Sequence, residues 1–168
     1  MIRFDWDQNV PRDLRRLSRN LDKARGKLND RTDPLQKIKK RQAQQWKVNF
    51  DRQGAIYGPW APLAASTVRK RGGKRTPLVD TGALIAHFTS LNEAGEVTND
   101  AVNWNMFSGG AAGARGIFAQ HFGFGPKGGF RSVVPSRVLW DFNDDDREAA
   151  EDILYTWADR ILERYFGV

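Results

Sequence analysis

The chain has 168 residues, 40% of them hydrophobic and 28% charged, which fits one domain with a modest core, because a chain of this length buries roughly 70% of its unfolded surface. It has no cysteine, which excludes a disulfide framework, a thiolate metal site and a cysteine nucleophile. No stretch approaches the roughly 18 apolar residues of a membrane span, and the first residues lack the order of a signal peptide. We therefore expect a soluble, unexported protein with no membrane partner.

The charge of the chain is unevenly distributed. The net charge is +7, but residues 1–75 carry +13 and residues 76–168 carry −6. A molecule with a basic half and an acidic half can stack on copies of itself, or place one face against nucleic acid or an acidic partner. Two solvated helical surfaces are the alternative explanation.

Residues 1–55 are predicted to form a basic N-terminal helical region. Pro11 suits the first turn of a helix, and the apolar residues after it recur at spacings of three and four, which is typical of a narrow helical seam. Those residues are Leu14, Leu17, Leu21, Ala24 and Leu28. Basic side chains occupy most of the positions between them.

A second helix is predicted to begin at Asp33 as N-cap and Pro34 as first helical residue, and to stop before Gly54. Its inward face is predicted to consist of Leu35, Ile38, Gln42, Trp46 and Phe50. We expect the two helices to form either a hairpin or one long broken arm.

Residues 56–168 are predicted to form an α+β core. Ser66 can cap a short helix at 66–71, and a further short helix is predicted at 81–86. Short strands follow around turn residues, so we expect a small antiparallel sheet. The predicted strands are 87–93, 96–98 and 101–107.

The last predicted element is a long amphipathic helix. Asn143 and the three aspartates after it suit the positive end of a helix dipole, and an apolar stripe follows. The stripe consists of Ala150, Ile153, Leu154, Trp157, Ile161 and Tyr165. The predicted fold is thus α+β, with an N-terminal helical arm or hairpin, a small antiparallel sheet and a C-terminal amphipathic helix, in one structural domain overall.

The segment Leu-Val-Asp-Thr-Gly-Ala at 78–83 is similar to the catalytic loop of dimeric aspartic proteases, where two aspartates activate a water. Those enzymes are almost entirely β, whereas this chain is predicted to be helical at both ends. Asp80 or Thr81 is better explained as the cap of a short helix, with Gly82 allowing close approach. We expect no catalytic residue and no cofactor. We also expect no metal site, because neither His87 nor His121 has ligands at a metal-binding spacing.

A basic cluster at 69–75 is the one feature that points to nucleic acid. Its glycine-hinged loop can follow phosphates without reading bases. The positive residues are Arg69, Lys70, Arg71, Lys74 and Arg75. A solvated loop is the alternative explanation of the same residues.

Five short segments stand in a definite order between residues 46 and 165. They are Trp60-Ala61-Pro62-Leu63; Thr67 with Arg69 and Lys70; Asp80-Thr81-Gly82 with Leu84; His121-Phe122-Gly123; and Pro135-Ser136-Arg137. In order and spacing they resemble the virion morphogenesis, or tail-completion, family of tailed bacteriophages.

This resemblance implies a non-enzymatic, ring-forming α+β protein of the phage neck, which completes the tail or joins it to the head. The implied partners are further copies of the chain, with a ring of six favoured over twelve, and the neighbouring connector or stopper, tail-tube and tape-measure proteins. DNA passing through the lumen is a further candidate partner. The implied location is the virion, at the head-tail junction or tail end, after assembly in the host cytoplasm.

Under this interpretation the motif residues serve packing and interfaces between subunits. Two alternatives remain open: a basic nucleic-acid-binding module, and more remotely a dimeric aspartic protease.

Overall fold

The computed structural model describes residues 10–73, 83–90, 95–105 and 136–167. The elements are α1 Val10–Asn29, α2 Thr32–Asp51, α3 Ala65–Lys70, α4 Ala83–Thr89, β1 Gly95–Val97, β2 Val102–Trp104 and α5 Asp144–Phe166. The predicted α+β class is confirmed. Within these ranges no helix combines the length and the hydropathy needed to cross a membrane.

The first two helices form one long bent arm, which decides between the two predicted arrangements. Only Asp30 and Arg31 separate α1 from α2, and within the described ranges the two helices do not pack side by side. The Asp30 carboxylate accepts a hydrogen bond from the backbone N–H of Thr32 at 3.2 Å, and the hydrogen bonds from Thr32 lower the pKa of Asp30. The bend is also held by the N–H of Arg31, which donates to the carbonyl of Asn99 at 3.0 Å.

The predicted N-cap of the second helix is wrong. Helix α2 begins at Thr32, ahead of Asp33, because Asp30 already binds the N–H of Thr32. Asp33 lies in the first turn and pairs with Lys37 at 2.8 Å on the exposed surface. The predicted inward face is confirmed, since Gln42, Trp46 and Phe50 are buried.

Helix α5 packs against both halves of the arm and runs antiparallel to it. Near its start Asp146 approaches Gln42 of α2, and near its end the carbonyl of Tyr165 accepts a hydrogen bond at 2.9 Å from the side-chain amide of Asn20 in α1. The predicted apolar stripe of α5 is half-buried along its whole length. On α1, Leu17, Ala24 and Leu28 lie toward α5, while Leu14 and Leu21 are exposed.

The start of α5 is a capping box. The Asn143 side chain accepts a hydrogen bond from the backbone N–H of Asp146 at 2.8 Å, and the Asp146 carboxylate accepts one from the backbone N–H of Asn143 at 3.3 Å. This pair satisfies two N–H groups that have no partner within the helix. The prediction that Asn143 and the aspartates start the helix is confirmed.

The small elements between the arm and α5 differ in part from the prediction. Strands β1 and β2 pair antiparallel, with Val97 opposite Val102. Residues 87–89 were predicted as strand but belong to α4, because Phe88 is completely buried against the arm from a helix. Helix α3 begins at Ala65, so Ser66 lies inside it and is not its cap.

The core lies where α2, α4 and the segment before α5 meet. Its fully buried members are aromatic or large aliphatic residues, so dispersion and burial stabilise this end of the molecule. The core consists of Trp46, Phe50, Trp60, Phe88 and Leu139. Trp104 of β2 extends it, with its ring centroid 4.6 Å from that of Trp46.

Candidate functional site

The predicted anchor Trp60 lies inside the chain. Only 7% of its surface is exposed; its ring meets Phe50 edge to face at 5.3 Å. Its indole N–H donates to the carbonyl of Val138 at 3.0 Å. The Trp60 side chain therefore joins α2 to the segment before α5, 78 residues away, and its burial leaves little surface for a partner's pocket.

The turn that presents Trp60 depends on Gly54. The backbone of Gly54 has φ +93°, in the left-handed region that favours glycine. A Cβ atom at this position would overlap the Gly58 carbonyl and the Trp60 ring. The turn that ends helix α2 therefore requires glycine at position 54. The same turn brings the Trp60 ring into contact with Phe50.

Arg137 makes a second link between the same segments. It is 4% exposed, and its guanidinium donates through Nε and Nη2 to the carbonyl of Ala61 at 3.2 and 3.0 Å. Burial lowers the pKa of Arg137. The structure thus brings together two of the sequence segments that carry the family resemblance, the one at Trp60 and the one at Arg137.

A buried polar cluster joins α2 to the start of α5. The Tyr57 hydroxyl donates to the Asp146 carboxylate at 3.1 Å, while the Gln42 amide donates to the Tyr57 hydroxyl at 3.0 Å and to the Asp141 carbonyl at 3.1 Å. Burial raises the pKa of Tyr57 well above its ordinary value, and the Asp146 carboxylate raises it further. Tyr57 therefore stays protonated and acts as a hydrogen-bond donor.

Asn49 fixes the backbone on both sides of this polar cluster. It is completely buried; its amide donates to the Val138 carbonyl at 3.0 Å, and its side-chain oxygen accepts from the N–H groups of Ile56 and Tyr57. Buried amides are stable only when their hydrogen bonds are satisfied. Asn49 therefore has a structural part in holding the turn at 56–57 against the segment at 138.

This buried polar cluster is not among the features predicted from the sequence. Gln42 interrupts an apolar stripe on α2, and a polar residue in such a stripe is a signal of a buried hydrogen-bond network. Asp146 stands three residues after Asn143, the spacing of a capping box. What the sequence does not reveal is that Tyr57 joins them.

The W-A-P-L segment continues into a shallow surface pocket of about 420 Å³. Its described lining is Pro62, Leu63, Ala65, Val68 and Arg69. Thr67 lies in α3, where its N–H donates to the Ala64 carbonyl, and Leu84 packs against the core from α4. The described lining of this pocket is apolar apart from the Arg69 side chain.

The basic cluster begins at the end of α3. Arg69 and Lys70 are exposed, Arg71 is half-buried, and Gly72 and Gly73 have positive φ values. The two glycines turn the chain sharply after α3. Arg69 and Lys70 are thus placed on the surface next to the pocket at Pro62.

Several predicted residues lie outside the described part of the chain. They are Lys74, Arg75, Asp80, Thr81, Gly82, His121, Phe122, Gly123 and Pro135. The predicted protease-like loop and the predicted histidine segment fall in these ranges. Among the residues that the structure does describe, no group of three or more acidic or histidine side chains could hold a metal ion.

The outer surfaces of the arm and of α5 carry opposite charge. Helix α1 has seven basic and two acidic residues, and α5 has eight acidic and three basic residues. Large apolar side chains are exposed on both, namely Leu14 at 50%, Leu21 at 53%, Tyr155 at 68% and Leu162 at 37%. Both helices thus carry exposed apolar side chains among charged ones.

Comparison with protein-family models, with curated proteins and with solved structures finds no match for this chain.

Proposed function

We propose that this protein is a non-enzymatic structural component of a tailed phage, which assembles into a ring in the neck and completes the tail or joins it to the head. The observation that carries the proposal is the opposite charge of two exposed helical surfaces, α1 and α5, in one molecule. A subunit of this kind attracts copies of itself head to tail, and a head-to-tail contact that closes forms a ring.

The aromatic end of the molecule, formed by Trp46, Phe50, Trp60 and Phe88, packs in a way that supports the same proposal. Trp60 and Arg137 belong to segments that resemble the tail-completion family, and both side chains donate hydrogen bonds to carbonyl groups of the same chain. Tyr57 and Asp146 are likewise committed to each other inside the molecule. A rigid end of this kind suits a building block whose contacts with neighbours must keep one geometry.

In the proposed mechanism the specificity comes from complementary surfaces between subunits. The ring has six subunits by analogy with phage necks, and its basic surfaces face an acidic neighbour or the DNA path. The neighbouring connector, tail-tube and tape-measure proteins are the proposed partners on either side. No chemical step is required of the protein.

Particles made without this protein test the proposal. We expect electron microscopy to show filled heads that lack joined or finished tails, and a copy of the gene supplied in trans to restore complete particles. Complete DNA-filled virions with normal tails in its absence would contradict the proposed role.

A basic nucleic-acid-binding module is the second candidate function. It is favoured by the exposed side chains of Arg69 and Lys70 at the end of α3 and by the large positive charge of helix α1. Such a surface neutralises phosphates and releases counterions, so its affinity falls steeply with salt.

Replacing Arg69, Lys70, Arg71, Lys74 and Arg75 by alanine tests this second function. If it holds, the native chain binds duplex DNA with a steep salt dependence, and the variant loses both the binding and the salt slope. A native chain that shows no retention of DNA at low salt would remove this candidate.

A further inference from the structure

The end of α1 projects beyond its partner helix. Asn20 meets the last turn of α5 at Tyr165, so the ten residues before Asn20 extend past the end of α5 for about 15 Å, at 1.5 Å per residue. Of the nine side chains described at 11–19, eight are exposed and only Leu17 is half-buried. Within the described residues this part of α1 is exposed on most of its circumference.

One exposed stripe on α1 has coiled-coil spacing. Its members follow one another at steps of three and four, so they share one side of the helix. They are Pro11, Leu14, Ser18, Leu21 and Arg25, all exposed, and we name them the arm stripe. Beside the stripe is a surface pocket of about 630 Å³ whose described lining includes Arg12, Arg15 and Arg19.

The outward side of α5 has a stripe of the same kind with the opposite charge. Its members also follow at steps of four and three, and all are exposed. They are Glu148, Asp152, Tyr155, Asp159 and Leu162, and we name them the acidic ridge. Among the described residues no ion pair neutralises Glu148, Asp152 or Asp159, because the ion pairs of α5 belong to Arg147 with Asp144 and Glu151.

The two stripes share an apolar pattern. Each covers 14 helical steps, and the register that pairs their apolar residues overlaps them over ten of those steps, about 15 Å. When the helices are aligned in parallel, Leu14 falls opposite Tyr155 and Leu21 opposite Leu162, with Ser18 opposite Asp159. Arg15 then lies at a level between Asp152 and Asp159, and Arg19 lies close to the level of Asp159, beside which Arg160 is also exposed.

We infer that the arm stripe of one copy docks in parallel onto the acidic ridge of the next copy, and that this contact is the subunit interface of the ring. The inference rests on the proposed self-assembly and gives it a specific surface. Within one chain α1 and α5 run antiparallel, and the acidic ridge points away from the arm. The arm stripe of a chain therefore cannot bind the acidic ridge of the same chain. The contact joins two different surfaces and is therefore heterologous, which is the type that builds closed rings.

Charge reversal tests the electrostatic part of the interface. Arg15→Glu with Arg19→Glu, and separately Asp152→Lys with Asp159→Lys, place like charges opposite each other, and we expect each pair to raise the concentration needed for half assembly by about tenfold or more. The four changes together restore opposite charge and assembly. The control is Lys40→Glu with Arg52→Glu, an equal charge change at exposed positions on and after α2, which should leave assembly unchanged in sedimentation velocity.

Cysteine cross-linking tests the register, and the chain has no cysteine of its own to interfere. Leu14→Cys and Tyr155→Cys are made in separate chains, mixed, and oxidised. We expect cross-linked dimers from the mixture and from neither chain alone. A mixture of Leu14→Cys with Lys40→Cys is the matched control and should give none.

The outcomes separate the interface from the proposed function. Rings that form without the Leu14–Tyr155 cross-link, or that survive both charge reversals, overturn the interface and leave ring assembly standing. A native chain that remains monomeric at every concentration overturns both. Loss of DNA retention on reversing Arg15 and Arg19, with unchanged assembly, would assign these two arginines beside the arm stripe to nucleic acid and would also overturn the interface.

Discussion

The aromatic end of the molecule and the projecting arm differ in how far their large apolar side chains are exposed. At the aromatic end Trp46 and Phe50 are completely buried, and the neighbouring polar groups are bound to backbone atoms across the chain. On the arm and on α5, Leu14 and Tyr155 are at least half exposed among charged residues. The difference indicates that the buried core stabilises one end, and the proposal assigns contact with other copies to the other.

The largest effect on stability is expected from Phe50→Ala. Phe50 lies between Trp60 and Phe88, so its loss leaves a cavity that costs about 3–5 kcal/mol of the free energy of unfolding. Tyr155→Ala is the matched change at the other end and should alter that free energy by no more than about 0.5 kcal/mol. Urea denaturation at low protein concentration measures the free energy of unfolding of both variants. Similar losses in both would contradict the difference between the two ends.

Gly54→Ala is expected to cost about 3 kcal/mol. The alanine must adopt a positive φ and must also displace the Trp60 ring or the Gly58 carbonyl, and each of these costs about 1–2 kcal/mol. Gly26→Ala is the control, because a Cβ there meets no atom within 4 Å and alanine favours the helix by about 0.5–1 kcal/mol. Thermal unfolding should therefore move in opposite directions for the two variants.

Tyr57→Phe is expected to cost about 1–3 kcal/mol, because a buried carboxylate loses one of its donors. It should also change the pH dependence of stability. The pKa of Tyr57 is raised in the folded chain above its ordinary value of 10.0, so its contribution is complete below pH 10 and is lost as the pH rises above it, since only the unfolded chain then releases the proton.

The free energy of unfolding, measured from pH 8 to 11 for both proteins, checks this prediction. The native chain should lose stability above pH 10 more steeply than Tyr57→Phe. Parallel curves would show that Tyr57 is not held protonated by its surroundings.

The smallest effect on stability is expected from Leu14→Ser with Leu21→Ser. Both side chains are exposed, so the thermal midpoint of dilute protein should change little. Assembly should nevertheless weaken, because both leucines belong to the arm stripe. Comparing sedimentation velocity with thermal unfolding on the same sample distinguishes a surface for contact from a surface for folding.

Local patterns predicted the helices well and the long-range contacts poorly. Apolar spacing predicted α1, α2 and α5, and Asn143 with its aspartates predicted the start of α5, because these signals act within a few residues. The N-cap of α2 was predicted at Asp33, two residues after the actual N-cap Arg31, because the carboxylate that binds the N–H of Thr32 belongs to Asp30. Residues 87–89 were predicted as strand from the local pattern. They are helical because Phe88 is buried against the arm, and the arm is distant from them in sequence.

In the candidate site, too, local features could be predicted from the sequence and long-range contacts could not. Trp60 was identified from its place between glycine and proline residues, but its partner carbonyl at Val138 is 78 residues away and no local pattern reveals it. The link between Gln42 and Asp146 spans 104 residues. The exposed leucines on α1 were predicted as part of one packed seam, and only the position of α5 separates Leu14 and Leu21 from Leu17, Ala24 and Leu28.

Negative-stain electron microscopy of the purified chain, at several concentrations and at low and high salt, tests ring assembly most directly. We predict closed rings of uniform size, with six subunits favoured, that dissociate as salt screens the attraction between α1 and α5. Particles that remain single subunits under all of these conditions, with no ring at any concentration, would contradict the account.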